Sequence, residues 1–187
     1  MYINFYLSHD DFDRLKIISS SNSNEQSGIM TFKGDNNDYS FLGLEILGQD
    51  SGEIKANRPG SVKFNINIYL PRIIYEVMHG QDSKGVVVRF HTHPKKFGID
   101  GAAIPSKADE QHIKAIQESV DNINKKFGKQ FTFVEGIVSD SEIGFYYCEN
   151  GVIKRVNTFV DFVELVPRKR KGFFSSFVDG VKEGMGR

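Results

Sequence analysis

Residues two apart in an extended chain project to the same side, so the segment His-Thr-His-Pro at 91–94 can present the imidazoles of His91 and His93 to one point in space. That arrangement suits a transition metal. Zinc in a hydrolytic site takes three protein ligands from His, Asp or Glu and keeps a fourth position for water, so the pair needs a third partner. Asp109 is the best candidate, because it stands in the first turn of the helix that follows the His segment, and Ser106 opens that helix. Each feature alone also has an ordinary explanation. A His-x-His at a strand end can be incidental, and Ser106 with an acidic residue three positions on is the signature of a capping box. His112, three residues beyond Asp109 on the same helical side, offers a rival Asp109/His112 ligand pair.

The elements that must position these residues follow from periodicity. Gly85-Val-Val-Val-Arg-Phe-His reads as a continuous apolar run of strand length, as expected of a central strand covered on both faces, and the His pair sits at its C-terminal end. Ser106 starts the longest helix, with Ile113, Ile116, Val120, Ile123 and Phe127 at three- and four-residue steps until Gly128 stops it. Upstream, Ile3 to Leu7 is a short strand, and Ser8 begins a helix carrying Phe12, Leu15 and Ile18. Strands on either side of the Gly34–Asp38 turn form a hairpin. Val62 to Ile68 alternates as a half-buried strand, and Pro71 to Gly80 bounds a short helix. After Gly128, strands are expected over 131–138, 143–148 and 152–166, the last two joined by Asn150-Gly151, a strong hairpin signal, and this region reads as antiparallel.

The succession of a strand ending in His-Thr-His-Pro, a loop, and Pro-Ser-x-x-Asp opening an amphipathic helix resembles the active-site motif of the JAMM family, the MPN-domain zinc metalloproteases, including the prokaryotic JAB-like isopeptidases of deubiquitinase type. The resemblance covers roughly residues 1–165. It implies an α/β (α+β) fold, MPN/JAB-like and cytidine-deaminase-like, with a mixed sheet flanked by helices. It also implies one zinc ion per chain held by His91, His93 and Asp109, with Ser106 stabilising the oxyanion. The family's upstream Glu, which holds and deprotonates the water, corresponds to Glu25 in Glu25-Gln-Ser-Gly-Ile-Met; Glu45 and Glu76 lie inside a strand and a helix pattern. The implied activity is that of a peptidase or isopeptidase acting on a protein or peptide, such as the C-terminal tail of a ubiquitin-like or sulfur-carrier-like protein. A catalytically inactive MPN-like binding scaffold is the alternative. Two departures from the family pattern stand out. Fifteen residues separate His93 from Asp109 where the family has about ten, and the Gly often found four residues after the position of Gly28 is absent. A zinc deaminase is disfavoured because its Pro-Cys-x-x-Cys segment is missing.

Bulk composition narrows the rest. The 187 residues suit one domain, expected over 1–166, and 16 Phe with no Trp imply an aromatic core. Basic and acidic residues both number 24, so no global field recruits nucleic acid or an anionic membrane. Cys148 is the single cysteine, which excludes an internal disulfide and a cysteine-rich metal knuckle. With no secretory signal and no run of about 18 apolar residues, the expected location is the cytoplasm. Residues 167–187 form a tail in which Arg168-Lys-Arg-Lys precedes Phe173, Phe174, Phe177 and Val181 at helical spacing. Such a tail can rest on an anionic membrane surface or dock on protein, and docking on protein is preferred.

Overall fold

The computed structural model describes residues 2–21, 25–47, 84–93 and 102–161, and the backbone path of 54–58 and 61–64. The expected helix over 71–80, the far part of the expected strand over 62–68, most of the loop after His93, residues beyond 161 and the tail lie outside the described residues.

Among the described residues, ten strands and two helices run in the order β1 (Asn4–Ser8), α1 (His9–Ser20), β2 (Ser27–Asp35), β3 (Asp38–Ile46), β4 (Ile54–Arg58), β5 (Ser61–Phe64), β6 (Lys84–His93), α2 (Lys107–Phe127), β7 (Gln130–Ser139), β8 (Ile143–Glu149), β9 (Val152–Arg155) and β10 (Asn157–Asp161). The fold is mixed α/β. Eight strands form one sheet in the order β10-β1-β3-β2-β6-β7-β8-β9, while β4 and β5 pair as a separate hairpin. β9 and β10 are the two edges of the large sheet, yet only Val156 separates them in sequence. The edges must therefore adjoin. The Val156 N–H donates to Phe145 O on β8 and the Asn157 N–H to Ile3 O beside β1, so the sheet curls into a nearly closed barrel.

The expectation of antiparallel pairing after Gly128 holds for β7–β8 and β8–β9 but not for β10, which lies parallel to β1. Val156 breaks the expected strand over 152–166, letting the chain leave one edge and join the other.

Turn chemistry explains the β2–β3 and β8–β9 hairpins. Asn36 and Asn37 (φ 48° and 75°), and Asn150 and Gly151 (φ 53° and 78°), adopt the paired left-handed conformations that match strand twist. Ser8 caps α1 by accepting the Asp11 N–H. Gly128, with φ 65°, ends α2, and its N–H bonds to Asn124 O.

Alternation along the strands divides the core in two. Phe5, Met30, Phe41, Val88, Phe90, Val134 and Phe145 share the face that receives Leu15 of α1, and the Phe5 ring stacks on Phe32 at 4.0 Å and meets Phe145 edge-on at 4.9 Å. Val87, Phe133, Ile137 and Tyr146 face the other way and pack against Ile113, Ile116 and Val120 of α2. Arg89, His91 and His93 continue the Val87 side of β6 and Glu135 the Phe133 side of β7, so the polar group at 89–93 lies beneath α2. Neither described helix is long and apolar enough to cross a membrane.

Candidate metal centre

β6 pairs with β2 on one side and β7 on the other, which leaves its C-terminal end rigid where the histidines emerge. His91 is buried and His93 partly so. Their Nε2 atoms stand 3.0 Å apart. α2 delivers Asp109 from its first turn, with Oδ1 at 3.4 Å from His91 Nε2 and Oδ2 at 3.7 Å from His93 Nε2. One donor atom from each residue lies within 4.8 Å of the others, and among the described residues these three form the group able to hold a metal ion. Tetrahedral zinc with ligands at about 2.0–2.2 Å keeps them about 3.3–3.6 Å apart, close to the 3.0 Å between the two Nε2 atoms and the 3.4 Å from Asp109 Oδ1 to His91 Nε2. His112, one turn along α2, is not a member of the group.

The hydrogen-bond partners of the two rings fix which nitrogen faces the cluster. His91 Nδ1 lies 2.7 Å from Glu135 Oε1, and His93 Nδ1 lies 3.0 Å from Ala102 O. A carboxylate and a carbonyl only accept, so both Nδ1 atoms donate and both Nε2 atoms turn toward the same point. Two bare Nε2 lone pairs at this separation repel unless a proton or a cation lies between them. The donor set therefore fits a divalent cation.

Electrostatics sharpen the arrangement. Burial pulls His91 down, but the hydrogen bond and charge of Glu135, with the charge of Asp109, outweigh it and raise its pKa above the ordinary histidine value. Burial, then the neighbouring His91, lowers His93 despite the Ala102 bond and the carboxylates. Burial opposes ionisation of Asp109, yet His91, hydrogen bonds from Ser106 and His93 together hold its carboxyl below the usual range. His112 is lowered by burial first and then by Arg89 and His91, against the pull of Glu135 and Asp109.

Capping and ligation prove compatible at Asp109. Ser106 Oγ accepts the Asp109 N–H at 3.2 Å, and the Ser106 N–H donates to Asp109 Oδ2 at 2.8 Å, a complete capping box. Because a carboxylate has two oxygens, Oδ2 can close the box while Oδ1 faces His91. Ser106 is exposed and stands at the rim of the cluster.

Glu25 reaches the same neighbourhood through strand register. Ser27 pairs with His91, and the chain before it stays attached to β6: the Thr92 N–H donates to Gln26 O at 2.8 Å, and the Gln26 N–H donates to Thr92 Oγ1 at 2.7 Å. Glu25 precedes this fastened residue by one position and is buried, 9% exposed. The middle residue of His-Thr-His thus staples the Glu25 segment to the His strand, and the Ser27 hydroxyl adds a bond to Phe90 O.

Two further supports have no motif. Arg89 and Glu135, fully buried partners in the parallel β6–β7 register, form an ion pair in which Nε and NH2 approach Oε2 at 2.7 and 2.5 Å. A charged residue inside each of two apolar strand runs is the signal that could have found them, since buried charges must be paired. The second support is a strap. Tyr146 Oη donates to Ala103 O at 2.7 Å and the Ala103 N–H bonds to Glu142 Oε1, fastening the segment that holds His93 onto β8. Gly144 makes room for it, because a Cβ there would lie 2.4 Å from Ala103 O.

The chain matches no known family profile and no curated protein. In structure it is similar to a protein of Desulfitobacterium hafniense solved in solution, with a TM-score of 0.52 at 13% identity over 84% of this chain and 92% of the other. At that identity the likeness is one of fold alone.

Proposed function

We propose that the chain is a zinc-dependent peptidase or isopeptidase of the JAMM type, and that His91, His93 and Asp109 hold a single zinc ion. The observation that carries this reading is the convergence of the two Nε2 atoms and an Asp109 carboxylate oxygen on one point, from two different elements. MPN/JAB-like architecture agrees with a curled mixed sheet that presents the His strand beneath the Asp helix.

When bound, zinc supplies a Lewis acid for the scissile carbonyl and lowers the pKa of a water to about 7. Glu25 would serve as general base and then general acid, its carboxylate accepting a proton from the attacking water and passing it to the departing amine. Ser106, at the N-terminus of α2, donates toward the oxyanion, aided by the positive end of the helix. Substrates follow from the resemblance: an amide or isopeptide bond at the C-terminal tail of a ubiquitin-like or sulfur-carrier-like protein. An extended tail can add as a strand beside the cleft and use main-chain hydrogen bonds for affinity.

Glu25→Gln tests the assignment. Zinc content should stay that of the parent while hydrolysis of a panel of ubiquitin-like fusions and peptides disappears. Undiminished turnover removes Glu25 from the mechanism, and a parent protein that takes up no zinc favours the binding-scaffold alternative.

A further inference from the structure

We infer that Glu135, held by Arg89, is a positioning residue that locks His91 in the tautomer able to bind metal. This rests on His91 being a metal ligand but concerns a residue outside the motif. Glu135 is fully buried on β7, and its two oxygens have separate tasks: Oε2 receives Arg89, and Oε1 lies 2.7 Å from His91 Nδ1. With Oε2 fixed by the guanidinium, Oε1 can only accept, so the ring proton must sit on Nδ1 and the Nε2 lone pair must point at His93 and Asp109. Arg89 acts at one remove. Its two contacts to Oε2 prevent the carboxylate from rotating away.

The same geometry forecasts what an amide would do. In Glu135→Gln, the amide NH2 cannot face the guanidinium, which is all donors, so Oε1 turns to Arg89 and the NH2 turns to His91. His91 Nδ1 then has to accept, and the proton moves to Nε2, the atom that should bind the metal. The substitution is nearly isosteric yet inverts the tautomer.

Two measurements decide the matter. Zinc affinity, measured by chelator competition on folded protein, should be about 10- to 100-fold weaker in Glu135→Gln than in the parent, the usual effect of removing an outer-shell partner. Imidazole 1H–15N spectra at a pH where His91 is neutral should show the proton on Nδ1 in the metal-free parent and on Nε2 in the variant. A variant that binds zinc within about twofold of the parent overturns the inference, as does an Nε2 proton on His91 in the parent. The parent spectrum needs neither metal nor a substituted protein, so it decides the lock even if Glu135→Gln fails to fold. If the parent binds no zinc, the metal reading falls, and the spectrum still reports separately on the lock.

Discussion

Zinc should displace a proton from His91 as it enters the site near pH about 6.5. The perturbation is pH itself. In the metal-free protein Glu135 and Asp109 raise His91 above its ordinary value against the cost of burial, whereas His93 and Asp109 are both pushed below theirs. At pH about 6.5 His91 is therefore the more protonated of the two rings, with His93 Nε2 3.0 Å from its Nε2. A metal ligand must be deprotonated, so each pH unit below the His91 value weakens zinc binding about tenfold, or about 1.4 kcal/mol. Affinity should rise with pH through this window, and the part of that dependence due to His91 should end above the raised value. The stability of the metal-free protein should move the other way. A raised His91 contributes stability that is complete below about pH 6.5 and is lost as pH climbs through the folded value. The depressed His93 contributes stability above about 6.5 that is lost only on acidification, outside that window. Calorimetric titration in two buffers of different ionisation enthalpy counts the protons, and chelator competition at about pH 6 and 7 gives the slope. Release of no proton with a flat affinity would refute the assignment of His91, and release of two would refute the lowered His93.

Other outcomes follow from the same contacts. Arg89→Met leaves the Glu135 carboxylate in a buried site without its guanidinium and should destabilise the fold by about 3–5 kcal/mol, read by denaturant unfolding. Ser106→Ala removes the N-cap of α2 and should cost about 1 kcal/mol of stability; if Ser106 also serves the oxyanion, turnover falls by about 100-fold or more while zinc affinity changes little. Tyr146→Phe strips the donor from Ala103 O and should cost about 1–3 kcal/mol, with weaker zinc binding because the strap that holds His93 is loosened. Gly28→Ala should destabilise strongly, since the new Cβ would lie 2.1 Å from Glu45 O and 2.5 Å from the Phe90 ring.

The parts of the site that depend on local spacing were legible in the sequence. Two-residue spacing set His91 and His93 on one side of a strand, and the Ser106–Asp109 spacing announced a helix start whose acidic residue turned out to serve both cap and cluster. The two hairpin turns were legible for the same reason, because Asn and Gly adopt left-handed conformations that few other residues tolerate. What could not be read depends on pairing between distant segments. Arg89 and Glu135 are 46 positions apart and meet only because β6 and β7 pair in parallel. The strap from Ala102 and Ala103 to Tyr146 has no periodic signature. β10 parallel to β1 follows from closure of the sheet, to which alternation along a single strand is blind.

Titration of zinc into metal-free protein, with the coordination of the loaded protein read by X-ray absorption, tests the central claim most directly. One zinc per chain with two imidazole nitrogens and carboxylate or water oxygens at about 2.0–2.2 Å, lost in His91→Ala, His93→Ala and Asp109→Ala, is the predicted result. A protein that takes up no zinc, or binds it unchanged after all three substitutions, would contradict it.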